Sequence, residues 1–169
     1  VTLNGTDGQP LILPMGKGEN DVIDRICTRP FACDLDGDGK LDIVSGNFRG
    51  TFAWFRGDGD GKFQPTATWL ESHGKLQVDS HSDPFLIDFD GDGDLDLFSG
   101  SAQGGVFLFV NEGSKTAPQF AAKKTLLAAV GHGHSDAEHV VFGDAHCKAP
   151  SSGTRVWLAD VDGDAKLDL

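Results

Sequence analysis

Pro30-Phe31-Ala32-Cys33-Asp34-Leu35-Asp36-Gly37-Asp38-Gly39-Lys40-Leu41-Asp42-Ile43-Val44-Ser45-Gly46 decides the fold of this chain, because the stretch recurs. Fifty-four residues on stands Pro84-Phe85-Leu86-Ile87-Asp88-Phe89-Asp90-Gly91-Asp92-Gly93-Asp94-Leu95-Asp96-Leu97-Phe98-Ser99-Gly100, identical at 11 of 17 positions. A third copy, Trp157-Leu158-Ala159-Asp160-Val161-Asp162-Gly163-Asp164-Ala165-Lys166-Leu167-Asp168, follows the second at a spacing of 72. Thr28-Arg29 ahead of the first copy returns as Thr154-Arg155 ahead of the third. Self-similarity at this spacing marks a repeat architecture, in which each unit buries its apolar faces against its neighbours.

Around each copy, short apolar or aromatic runs alternate with Gly and Asp turns. In the first unit, 31–33 leads into the acidic loop and 41–45 leaves it. After a turn at 46–50, Thr51-Phe52-Ala53-Trp54-Phe55-Arg56 has the aromatic content of a strand. A Gly/Asp hairpin turn at 57–62 and a fourth strand at 63–69 complete the unit. The second unit repeats the order at 85–87, 95–99, 106–110 and 120–127, and no segment carries a helical pattern. Four strands per repeat of ~50 residues predict an all-β chain of β-propeller blades.

The expected units are the tail of a preceding blade with its connector at 1–29, blade one at 30–83, blade two at 84–154, and the start of a third blade at 155–169. Leu11-Ile12-Leu13, between Pro10 and Pro14, reads as an outer edge strand of the preceding blade. The longer second spacing places a His-rich insertion near 131–150. Two full blades with partial blades at both ends cannot close a ring of about four to eight. The expectation is a β-propeller fragment, a piece of a longer protein whose remaining blades are its first partners. Val1 opens without a Met or a basic-then-apolar leader, in keeping with a processed or truncated piece.

The acidic loops carry the chemistry. Carboxylates stand at loop positions 1, 3, 5 and 9: Asp34, Asp36, Asp38 and Asp42; Asp88, Asp90, Asp92 and Asp96; Asp160, Asp162, Asp164 and Asp168. Calcium takes six to eight oxygens at ~2.3–2.6 Å, several of them charged. Alternating Asp on a tightly curved loop directs successive carboxylates to one centre, and crowded carboxylates without a cation repel one another. Gly39 and Gly93 at position 6 permit the turn, while Ala165 in the third copy restricts it. At position 7 the backbone carbonyls of Lys40, Asp94 and Lys166 are expected to face the ion, and position 9 closes the cage with two oxygens. This is not the helix-flanked loop with Glu at position 12, because position 12 is Ser45 or Ser99 inside a strand. Gly57-Asp58-Gly59-Asp60-Gly61 mimics the pattern but has Lys62 and Thr66 at positions 5 and 9, so it reads as a hairpin turn.

The stretch from Asp34 to Asp42, followed by Ile43-Val44-Ser45-Gly46, and its copies resemble the FG-GAP/VCBS-type repeat family, to which the calcium loops of integrin α-subunit propellers are related. The likeness covers about 30–120 well and 155–169 in part, and its closest flavour is that of secreted bacterial repeat proteins. It implies propeller blades with calcium in the loop between the first two strands. It also implies an extracellular, periplasmic or cell-surface location. It does not imply one activity: relatives include adhesion modules, sugar-binding propellers and some polysaccharide-acting enzymes.

Composition narrows the rest. The chain of 169 residues has 26 acidic and 14 basic side chains, a net charge of -12, and half of the acidic residues lie in the three loops. Three bound Ca²⁺ would halve that charge. Phosphate recognition needs clustered Lys and Arg, so nucleic acid is excluded as a partner. No apolar run reaches the ~18 residues of a membrane span. Cys27, Cys33 and Cys147 lack a zinc spacing; a Cys27–Cys33 bridge competes with a buried thiol at Cys33, the expected state. His132, His134, His139, His146 and Cys147, with Asp136, Glu138 and Asp144, match no zinc pattern and read as a polar loop. His81-Ser82-Asp83 reads as a blade connector, since adjacency in sequence is not triad geometry. Trp54, Trp69 and Trp157 read as packing residues rather than sugar platforms.

The expected function is therefore a calcium-binding repeat module of a secreted or cell-surface protein, a binding or adhesion module or a structural scaffold whose ligand is a protein or a glycan. The rival is part of a propeller-based polysaccharide lyase or hydrolase, which would need convergent acid and base groups in a cleft.

Overall fold

A computed structural model describes residues 3–14, 21–72, 74–129 and 153–169. The strands are β1 (Asn4–Gly5), β2 (Arg29–Cys33), β3 (Asp42–Gly46), β4 (Phe52–Phe55), β5 (Gly57–Gly59), β6 (Lys62–Phe63), β7 (Thr68–Trp69), β8 (Asp83–Ile87), β9 (Asp96–Gly100), β10 (Val106–Phe109) and β11 (Lys124–Leu127). A 3₁₀ turn spans Asp21–Asp24, and no α-helix occurs among the described residues. Two four-stranded antiparallel sheets, β2-β3-β4-β7 and β8-β9-β10-β11, are the bodies of two blades. The chain is an all-β, propeller-like fragment. The His-rich insertion lies outside the described residues, and so do the readings placed on it.

Alternation along the strands explains the packing. In β4, Phe52 and Trp54 turn to one face, and Ala53 and Phe55 to the other. In β10, Phe107 and Phe109 face blade one, while Val106 and Leu108 face the third copy. Three apolar layers result. The outer one joins Leu13 to Ala53, Phe55, Phe63 and Ala67. The central one locks the two blades together through Val44, Phe52, Trp54, Leu86, Leu97, Phe107 and Phe109. The third packs Phe85, Phe98, Val106 and Leu108 against Val156 and Leu158. Each fully buried Phe stabilises by about 1.5–3 kcal/mol relative to exposure, and Phe52 and Phe109 meet across the two blades with ring centroids 5.8 Å apart.

The blades are stitched at equivalent points. The N–H of Ser82 donates to Asn47 O at 3.1 Å, and that of Thr154 to Ser101 O at 3.0 Å. Gly46 and Gly100 close β3 and β9 where those segments cross. A Cβ on either would run into the carbonyl oxygen of Ser82 or Thr154, well inside contact distance. Phe31, Phe85 and Trp157, aligned by the repeat, form a ladder with ring centroids 5.3 and 5.1 Å apart.

Three boundaries differ from expectation. Gly59, Asp60 and Gly61 all have positive φ and fold the chain back, so Lys62 and Phe63 pair with β5 and, in parallel, with β1. The fourth strand of blade one shrinks to Thr68–Trp69. Leu11 to Leu13 form no strand; Leu13 is buried in the outer layer, and the N-terminal strand is Asn4–Gly5. Phe120 makes a bridge to Asn111, and β11 begins only at Lys124.

A candidate metal centre in each repeat

In blades one and two the acidic loop runs from the end of one strand into the next, and in the third copy the Ala159–Asp168 bridge closes it. The turn is built from its own side chains. The position 6 N–H donates to the position 1 carboxylate in all three copies: Gly39 to Asp34 at 3.0 Å, Gly93 to Asp88 at 3.1 Å, Ala165 to Asp160 at 3.0 Å. The position 7 N–H donates to position 5: Lys40 to Asp38 at 2.9 Å, Asp94 to Asp92 at 3.1 Å, Lys166 to Asp164 at 2.9 Å. Position 6 needs the left-handed region, with φ of 84° at Gly39, 94° at Gly93 and 64° at Ala165.

These bonds converge the carboxylates. Oxygens of Asp34, Asp36 and Asp42 lie within 4.8 Å of one another, as do those of Asp88, Asp90 and Asp92, and of Asp160, Asp162 and Asp164. Asp38, Asp94, Asp96 and Asp168 stand outside these trios. The donors are all carboxylate oxygens, a hard set suited to Ca²⁺ or Mg²⁺ rather than a soft transition metal. Asp34 Oδ1, Asp36 Oδ1 and Asp94 Oδ1 are buried without a hydrogen-bond partner. Buried unpaired carboxylate oxygens are costly unless a cation meets them, so the residues fit the ion.

Position 9, expected to close the cage with two oxygens, also binds the backbone through its carboxylate. Asp42 Oδ1 accepts the N–H of Gly57 at 2.7 Å, and its Oδ2 that of Leu35 at 3.0 Å. Asp96 repeats this with Asn111 at 2.8 Å and Phe89 at 3.0 Å. In the third copy Asp168 Oδ2 accepts the N–H of Val161 at 2.9 Å. Position 9 thus braces the loop against the next strand, and in blade one Asp42 also reaches the trio. Burial pushes the Asp42 and Asp96 carboxyls up, although those N–H bonds pull them down. Sequence reasoning missed these backbone donors: Gly57 and Asn111 stand at the repeat offset of 54, but they share no side-chain identity that would mark them.

Position 7 distinguishes the copies. Lys40 Nζ pairs with Asp38 at 3.2 Å and Lys166 Nζ with Asp164 at 2.6 Å. Asp94 is instead a fifth carboxylate, 6% exposed. Its carboxyl is pushed up by burial and then by Asp92, Asp96, Asp90 and Asp88.

The remaining candidates separate from this chemistry. Asp58 and Asp60 join no such trio among the described residues, and their segment is the β5–β6 hairpin. His81, Ser82 and Asp83 do not converge. His81 packs on Phe48, Ser82 Oγ donates to Thr51 O at 2.6 Å, and Asp83 pairs with Arg29 at 3.1 Å and Arg155 at 3.5 Å. Trp54 is core, Trp69 is half-buried, and Trp157 stacks on Phe85 while remaining 71% exposed. Cys27 and Cys33 are both free. The Cys33 thiol is pushed up to about 12 by burial and by Asp42 and Asp34, which leaves it unreactive. A separate polar cavity of about 620 Å³ is lined by Glu71, Ser72, Glu112, Gln119 and Phe120.

Compared with known families, the chain matches the FG-GAP-like repeat at residues 34–86 and again at 88–169. No curated protein and no solved structure gives a match.

Proposed function

Because the chain belongs to the FG-GAP-like repeat family, we propose that it is a calcium-stabilised blade module of a secreted or cell-surface protein, serving as a scaffold or adhesion surface for a protein or glycan. The observation that carries the reading is the pair of buried, unpartnered oxygens of Asp34 and Asp36 inside the converged trio of loop one. The ion offsets the repulsion that the loop imposes, so binding contributes to folding. At ~1 mM calcium, typical outside cells, and a Kd of ~10–100 µM, each site would add about 1.4–2.7 kcal/mol. The test is thermal melting of the chain in calcium and in EDTA, with direct calcium titration. Calcium should raise the melting temperature by several degrees; identical melting curves and no heat of binding would sink the reading.

A further inference from the structure

The loops of blades one and two have nearly the same sequence but different charge environments. Around loop one, Lys40 Nζ holds Asp38 at 3.2 Å, and Arg56 Nη1 holds Asp36 at 3.5 Å. Arg56 is itself seated over the Trp54 ring, 4.2 Å from its centroid. A third cation comes from the neighbouring blade. Lys115 lies across Gly37 so closely that a Cβ there would fall 2.6 Å from Lys115 Cγ and 2.8 Å from Cε. Its ammonium, one bond further, is brought to the rim of loop one. Loop one therefore carries part of its own counter-charge.

Loop two has none of this. No ion pair joins Asp88, Asp90, Asp92, Asp94 or Asp96 to a basic side chain among the described residues. Position 7, a lysine in loops one and three, is Asp94. Its side chain is more than nine-tenths buried, and Asp88, Asp90, Asp92 and Asp96 all act on it. Its Oδ1 has no partner. A fifth carboxylate buried next to the Asp88, Asp90 and Asp92 trio adds negative charge that no basic side chain offsets among the described residues.

We propose that Asp94, a fifth carboxylate buried beside the Asp88, Asp90 and Asp92 trio, makes loop two the tight calcium site, and that loop one is a weaker one already offset by Lys40, Arg56 and Lys115. The proposal rests on the calcium reading above and adds an order of filling. One further carboxylate and the absence of competing cations both favour loop two, since the charge count of a site tunes calcium affinity over decades and cations at the rim of loop one repel the incoming ion.

Amide NMR of the full chain under calcium titration separates the sites, because Gly37 and Gly39 report loop one and Gly91 and Gly93 report loop two. The loop-two amides should reach their midpoint at about tenfold lower calcium than the loop-one amides. Asp94→Asn, nearly isosteric, should raise the loop-two midpoint by about tenfold and leave loop one in place. Lys40→Asp, which copies Asp94 into loop one, should lower the loop-one midpoint. Coincident midpoints, loop one filling first, or an Asp94→Asn midpoint equal to the wild type would each overturn the proposal while leaving calcium binding standing. Absence of any calcium-dependent shift in either loop would overturn both.

Discussion

Asp42 Oδ1 accepts the backbone N–H of Gly57 at 2.7 Å, tying the acidic loop to the first residue of β5. Its other oxygen holds Leu35, so one carboxylate joins the start of the loop, its end and the start of β5. This clasp needs no ion. Asp42→Ala should therefore destabilise the chain with or without calcium, by about 2–4 kcal/mol, because two backbone donors lose a charged acceptor. Asp38→Ala, at an exposed position, should act mainly on the calcium-loaded state. Melting both variants in calcium and in EDTA separates the roles; a loss for Asp42→Ala confined to calcium would make it a ligand and nothing more.

Gly100 tests the stitching between blades. Its backbone does not need the left-handed region, so alanine there suffers no conformational penalty; the obstacle is the Thr154 carbonyl. Gly100→Ala should cost about 2 kcal/mol or more, as overpacking against backbone does. It should also loosen the contact of Val156 and Leu158 with blade two. Gly93→Ala makes the control, because nothing lies near its Cβ position and only its φ of 94° opposes a side chain. Hydrogen exchange at Thr154, whose N–H donates to Ser101 O, should rise in the first variant and not in the second. Equal protection in both would show that the Gly100 crossing is not what holds the third copy.

How much of this was legible follows from what a repeat can encode. Aligning the copies exposes every position fixed by side-chain identity: the alternating Asp, the Phe31–Phe85–Trp157 ladder, the inner strand pairs. It does not expose where a backbone donor ends up, so the role of Gly57 and Asn111 toward position 9 stayed hidden. Nor does composition reveal that Asp60 takes φ 52° and returns the chain early, which cut the fourth strand of blade one to two residues. Asp94 reads as an ordinary acidic residue at a backbone-ligand position; only the packing of loop two shows it buried. Leu13 likewise has the apolar neighbours of a strand, yet its burial against Phe55 and Phe63 is satisfied without one.

Ala165 stands where the other copies have glycine, at φ 64°. A Cβ in the left-handed region costs about 1–2 kcal/mol, offset in part because glycine has more freedom in the unfolded chain. Ala165→Gly should stabilise the third loop by about 0.5–1 kcal/mol. The readout is a lower calcium midpoint for the amide of Gly163, with the midpoints of Gly91 and Gly37 unchanged. An unchanged or higher Gly163 midpoint would show that backbone strain does not limit this loop.

The last expectation concerns pH. Burial raises the carboxyls of Asp42, Asp94 and Asp96, so the calcium-free fold holds protons there more tightly than the unfolded chain does. The stabilisation from protonating them is fully present below the ordinary carboxylate value near 4 and is lost as pH rises through the raised folded values. Asp38 runs the other way, held low chiefly by the Lys40 N–H, but it is exposed and screened. In EDTA, lowering pH from 7 toward about 4.5 should therefore hold or raise the melting temperature. In calcium the same descent should lower it, because the ion needs ionised ligands and protons displace it. The two curves should converge, and Asp94→Asn should flatten the rise seen in EDTA. Parallel curves that fall together on acidification would mean that neither the buried carboxyls nor the ion governs the acid response.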